Sequence, residues 1–247
     1  MKKIVLVFLT VVSATLAIAQ QAPKKKDFSK INIDRAGDHI MLQFSDDQWA
    51  GIPDSIKTNK KGFSRGLNIY VMLDRRFKTN PFWSVAFGLG ISNSNIFFKN
   101  MGQVPYGIGV SSPGNPTLSF TQTTGEHFKK YKLATTYLEL PIEMRYTFNP
   151  ADENKSWKIG FGVKLGVLLN AHTKGKTLLD FNGSTINNGY TEKESSTRYF
   201  DATRIAATAR IGYGHYSLFG AYSITGLLKD GSAQLNPYQI GITLSGL

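Results

Sequence analysis

From residue 37 onward, hydrophobic and polar residues alternate with period two, the signature of strands with one apolar face. Phe63, Leu67, Ile69, Val71 and Leu73 fall on one face, and Ser64, Gly66, Asn68, Tyr70 and Asp74 on the other. Trp83, Val85, Phe87, Leu89 and Ile91 alternate with Ser84, Ala86, Gly88, Gly90 and Ser92. Leu138, Leu140, Ile142, Met144, Tyr146 and Phe148 alternate with Tyr137, Glu139, Pro141, Glu143, Arg145 and Thr147. The longest pattern runs from Trp157 to Leu169 on the odd positions, with Lys158, Gly160, Gly162, Lys164 and Gly166 between them. Weaker strands are predicted over Arg204–Ile211 and Tyr216–Ile224, a last one over Tyr238–Leu244, and a first over His39–Phe44. That makes eight strands, and no useful segment has helical period.

The spacing between the strands gives an architecture. Connections near 75–81, 149–155 and 212–215 are short, and those near 45–62, 99–131, 171–198 and 226–236 are long. Strict alternation of long and short is what a transmembrane barrel shows, with long outer loops and short periplasmic turns. The expected fold is all-β: a single antiparallel transmembrane β-barrel of eight strands in an up-and-down meander. The rival is a soluble barrel, whose interior is apolar. Alternation alone does not separate the two. The glycines do: Gly88, Gly90, Gly160, Gly162 and Gly166 share the polar face with the charges. A crowded lumen needs that room, and a solvent face does not. Aromatics near both strand ends fit two interfacial belts. Trp83, Tyr146, Phe148, Trp157, Tyr213 and Tyr216 lie toward the short turns; Trp49, Phe63, Phe97, Phe98, Tyr131, Tyr199 and Tyr238 lie toward the long loops.

The N-terminus agrees with export. Lys2 and Lys3 precede an apolar stretch, Ile4 to Ala19, that ends in the small-x-small triplet Ala17-Ile18-Ala19. This reads as a cleavable signal peptide over 1–19, too short for a spanning helix. A polar tail, 20–36, carries Lys24, Lys25 and Lys26, and the barrel follows over 37–247. The chain has no cysteine, which excludes disulfides, thiolate metal sites and a lipid-anchored cysteine. Its formal charge is +12. Outside the cytoplasm that balance points to anionic lipid or polysaccharide rather than nucleic acid.

The segment Ala134–Tyr146 (ATTYLELPIEMRY), with the Asn-Pro turn and Gly-rich strand after it, resembles the PorT-like outer-membrane β-barrel family of Bacteroidetes. Phe82–Ile91 (FWSVAFGLGI) and Pro237–Leu247 (PYQIGITLSGL) are similar to it as well. The resemblance implies an outer-membrane barrel. Through the family's namesake it also implies a part in a type IX secretion or gliding apparatus, though no motif here names that role.

Candidate chemistry is of three kinds. Glu139, Glu143, Arg145, Lys164, Arg204 and Arg210 share the inward phase, which predicts a lumenal charge network. With the short turn at 149–155, Lys164 should stand opposite Pro141, diagonal to Glu139 and Glu143, and pair with one of them. The outer loops carry a basic rim of Lys57, Lys60, Lys61, Lys129, Lys130, Lys174 and Lys176, with Lys132 nearby, suited to lipopolysaccharide phosphates. His172, with Ser195, Ser196, Glu192 and Glu194 in the same loop, is the thin case for a lipid-modifying enzyme, weakened because His172 follows the inward phase. Asp46 and Asp47 beside Trp49 are a weak cation candidate, and the other histidines have no metal spacing. The expected function is therefore a non-enzymatic barrel with a structural or scaffold/binding role, without cofactor. Its expected partners are outer-membrane lipid, lipopolysaccharide and an envelope protein.

Overall fold

The alternating segments form strands that close on themselves. The computed structural model describes residues 40–99, 106–110, 118–122, 125–229 and 234–246, all within one unit, Ile33–Leu247. The expected signal peptide and tail, His39 and most of the 102–125 loop lie outside the described residues. The strands are β1 (Ile40–Ala50), β2 (Arg65–Arg76), β3 (Trp83–Phe98), β4 (Tyr106–Val110), β5 (Leu118–Gln122), β6 (His127–Thr147), β7 (Trp157–Leu179), β8 (Thr185–Ser195), β9 (Thr203–Tyr213), β10 (Tyr216–Ser223) and β11 (Asn236–Ser245). One short helix, α1 (Asp54–Lys57), sits between β1 and β2.

Eight of these strands make a closed antiparallel barrel in the order β1-β2-β3-β6-β7-β9-β10-β11, with β11 paired back to β1 from Met41↔Ser245 to Ala50↔Asn236. Closure leaves the wall without a free edge, the condition for crossing lipid with strands. β4 and β5 form a separate hairpin within the β3–β6 connection. β8 pairs with the upper part of β7, beyond Val167↔Thr203 where β9 leaves it.

The outward face is apolar and the inward face polar, the reverse of a soluble barrel. Leu140, Ile142, Phe161, Val163 and Leu165 point outward and are 38–52 % exposed, whereas Glu139, Glu143 and Lys164 are at most 1 % exposed. The inward glycines leave the room expected of them. A Cβ on Gly160 would lie 3.1 Å from the Arg210 side chain, and one on Gly166 would lie 3.2 Å from that of Glu139.

Four strands run farther than their periodicity predicts. β1 continues to Ala50, β3 to Phe98, and β6 and β7 reach His127 and Leu179. Above the lipid-facing band both faces carry polar residues, so no apolar phase marks these extensions. β7 also holds a bulge. Thr136 pairs with Asn170 but Tyr137 with Leu168, leaving Leu169 as an extra residue.

The lower aromatic belt forms around Trp83, Tyr146 and Phe148, whose rings meet edge-on at 5.0 Å, and around Trp157 and Tyr213, 5.8 Å apart. The expected upper belt is partly something else. Trp49 and Phe98 are buried with Ile56, Ile96, Leu133, Phe200, Leu227 and Leu235, and Tyr131 and Tyr199 pack against them. These side chains form an apolar cap at the long-loop mouth, to which α1 gives Ile56 and the β10–β11 connection gives Leu227, Leu228 and Leu235.

Candidate functional site

The lumen is filled from bottom to top. At the short-turn mouth Arg76 bonds Glu153 and the Pro150 carbonyl (2.8 Å), and Lys158 lies 3.3 Å from Glu153. Above it, Arg145 bridges Asp74 (2.9 Å) and Glu143 (3.0 Å), and Arg210 reaches the same Glu143 oxygen at 3.1 Å. Higher still, Tyr70 donates to Glu139 at 2.5 Å, and Arg204 Nη1 lies 3.2 Å from Glu139 Oε1. That last contact is an ion pair without hydrogen-bond angles, since the same oxygen has no hydrogen-bond partner. The Arg204 guanidinium also lies over the Tyr137 ring at 5.4 Å.

The register explains these pairs. Glu139, Gly166 and Arg204 form one row across β6, β7 and β9. With no side chain on the middle strand, an acid on β6 meets an arginine two strands away. Gly160 stands likewise between Arg145 and Arg210.

The position of Lys164 is as expected but its partner is not. It faces Pro141 across the hairpin and is fully buried. Its ammonium donates to Gln43 Oε1 at 2.8 Å and lies over the Tyr70 and Phe219 rings at 5.1 and 5.3 Å. The arginines hold both glutamates, so the expected Lys164–glutamate pair gives way to a lysine–glutamine contact. Gln43 belongs to an amide layer that sequence reading missed: Asn68 donates to Gln43 and Gln239, and Gln239 to Asp47 at 3.0 Å. Asp47 is thereby used up inside. Asp46 accepts from Gln48 and the Ser64 amide instead, so the two aspartates do not converge on a cation.

The outer wall carries the basic residues unevenly. The β7 bulge turns His172, Lys174 and Lys176 to the outside, correcting the inward phase expected for His172. Lys132 pairs directly with Lys174, Lys130 with Lys176, and Lys174 with Lys193 of β8. Four of these lysines line a pocket of about 280 Å³ with Phe97 and Tyr131. Lys132 donates to Asn95 Oδ1 at 2.5 Å and lies over the Phe97 ring at 5.9 Å. Burial holds the Lys132 ammonium below its ordinary range, and Lys174, Lys176 and Lys193 push it the same way. Lys129, exposed, points to the other face. Lys57 and Lys61 belong to the β1–β2 connection, on another part of the rim, and Lys60 is folded inward, bonded to Gln48 and the Lys61 carbonyl. Lys132 and Lys193 thus replace Lys60 and Lys129 in the cationic patch. Only the extended register of β6, β7 and β8 brings them together.

His172 and Ser195 are cross-strand partners, but Asn170 separates their chemistry. Its Oδ1 accepts from His172 Nδ1 (2.7 Å) and its amide nitrogen donates to Ser195 Oγ (3.1 Å), while that hydroxyl donates to the Ala171 carbonyl (3.3 Å). The serine proton goes to a backbone carbonyl rather than to an imidazole base. Among the described residues no group of carboxylates, histidines or cysteines could hold a metal ion.

A closed barrel with an apolar outer band, a polar packed lumen and long loops on one side is the outer-membrane class. The chain belongs to the outer membrane protein beta-barrel domain family, whose model matches residues 19–244. No curated protein matches it. Among solved structures, it is similar to Ail, the attachment invasion locus protein of Yersinia pestis, in complex with the heparin analogue sucrose octasulfate, at 11 % identity and a TM-score of 0.33, covering 85 % of this chain and 99 % of that one. A second structure of Ail from Yersinia pestis is similar at 12 % identity and a TM-score of 0.31 with the same coverage.

Proposed function

We propose that the protein is a non-enzymatic, non-conducting outer-membrane barrel with a scaffold/binding role, presenting its β6–β7–β8 extension at the cell surface. The observation that carries this reading is the column of buried side chains from Arg76 to the apolar cap, and a lumen so filled should not conduct. Eight strands enclose an interior that side chains can fill. The serine–histidine geometry gives catalysis no activated nucleophile. On this reading residues 1–19 are removed on export, so that N-terminal sequencing finds Gln20 first.

The test is twofold. Purified protein in planar bilayers should give no ion-conducting steps; steady channel openings would overturn the reading. A pull-down in mild detergent should recover an envelope component through the outer loops. Recovery of a secretion or gliding apparatus would specify the machine implied by the PorT-like resemblance.

A further inference from the structure

We propose that the lysine ladder on the outer wall is a binding site for the phosphate groups of the outer leaflet's phosphorylated glycolipid. The proposal rests on the barrel being an envelope binding protein and names the ligand and the residues.

Four observations point to it. The first is the register. Lys130 stands opposite Lys176, and Lys132 opposite Lys174, which itself stands opposite Lys193. Like charges directly opposite in a sheet repel, and here three strands place them so repeatedly. The second is segregation. Glu192 and Glu194 pair with Gly175 and Thr173, so the acids of β8 occupy the other face of the same sheet. Among the described residues none of the five lysines has a salt bridge. The third is shape: the pocket of about 280 Å³ is lined by cations on an aromatic floor.

Height is the fourth. Lys132 shares the face of Leu138, Leu140 and Ile142 and lies 14 residues above Tyr146 in the lower belt. At about 3.3 Å per residue and a tilt of about 45°, the ammonium level is about 33 Å above that belt. The apolar band of such barrels is about 25 Å tall, which puts the ladder about 8 Å beyond it, at headgroup depth. A soluble polyanion would meet loop tips first. A ladder on the lipid-side wall meets lipid phosphates.

Adjacent lysines on a strand face are about 7 Å apart, and cross-strand partners about 5 Å. That grid accepts phosphate monoesters, each between two or more ammonium groups. The chemistry is charge-assisted hydrogen bonding to oxygens that carry nearly two charges.

The experiment uses full-length protein reconstituted in phosphatidylcholine vesicles containing bis-phosphorylated lipid A, or the same lipid with its phosphates removed. Retained lipid is counted by native mass spectrometry. The phosphorylated lipid should be retained and the dephosphorylated one lost. Retention should fall roughly tenfold in K132Q/K174Q/K176Q and persist in K132R/K174R/K176R, each verified as folded by heat-modifiable mobility. Inorganic phosphate at matching concentration should not displace the lipid. Unchanged retention in the glutamine variant, equal retention of both lipids, or displacement by inorganic phosphate overturns the site. Should the glutamine variant fail to fold, single glutamine variants take its place, each expected to lower retention, and no change in any of them overturns the site. Conductance of the same protein reports separately: a silent barrel that retains no lipid sinks the site alone, and a conducting barrel that retains lipid sinks the non-conducting reading alone.

Discussion

Glu143 shows what one buried residue carries. Both Arg145 and Arg210 direct their Nε atoms at one of its oxygens, so Glu143→Gln leaves two guanidinium groups facing each other in a packed lumen. Loss of one member of a buried pair costs about 3–5 kcal/mol, and urea titration in detergent should show a loss of that order. A double-mutant cycle of Glu143→Gln with Arg210→Gln should give a coupling of about 0.5–3 kcal/mol; additivity would mean that the pair does not form. Alternation in the sequence placed all six lumenal charges on one face. It did not tell which acid meets which base, because the partners lie two strands apart with a glycine between. His172 offers a second test. Burial lowers its pKa first, and Lys193, Lys132 and Lys174 lower it further. A base with a depressed pKa favours the unfolded state's proton uptake, so its contribution to stability is lost as pH falls through the ordinary histidine value. Anionic lipid in the ladder would oppose the three lysines, and the NMR titration of His172 should move upward when bis-phosphorylated lipid A is added.

At the scale of elements, β6 and β7 each serve two environments. Their lower halves follow the period expected of a lipid-facing wall. Arg substituted singly at Leu140, Phe161 or Leu165 should cost about 2–4 kcal/mol at mid-depth, measured by unfolding in bilayers; no cost would mean these side chains do not meet lipid. Their upper halves were not legible as strands, since Lys129 to Lys132 and His172 to Lys176 have polar residues in both phases. The bulge at Leu169 decides the outcome. A one-residue change of phase sends every later side chain of β7 to the opposite face. Deleting Leu169 removes the extra residue and leaves Asn170 opposite Thr136, so K174C should stay open to maleimide and T173C protected, whereas an exchange of the two labelling patterns would show that the phase is set elsewhere.

For the whole molecule, the non-conducting reading rests on two plugs in series. In it the column around Glu143 and Glu139 fills the membrane-spanning part and the cap around Trp49, Phe98 and Phe200 the loop-side mouth. They differ in chemistry and lie at different heights, so each should suffice alone. Trp49→Ala with Phe200→Ala removes cap volume but leaves the ion pairs below intact, and planar-bilayer recordings should stay silent. Replacing Glu143, Arg145 and Arg210 together by Ala removes three long side chains of the column, with Asp74 losing its arginine, and again the cap should hold the barrel shut. Only the five substitutions combined should yield conductance, since ions crossing barriers in series are stopped by the larger one. Openings in either partial variant would mean that a single plug governs the barrel. Silence in the combined variant, with the barrel still folded, would place the seal in the groups that remain, Glu139 with Arg204 and Tyr70, and Lys164 with the amide layer of Gln43, Asn68 and Gln239.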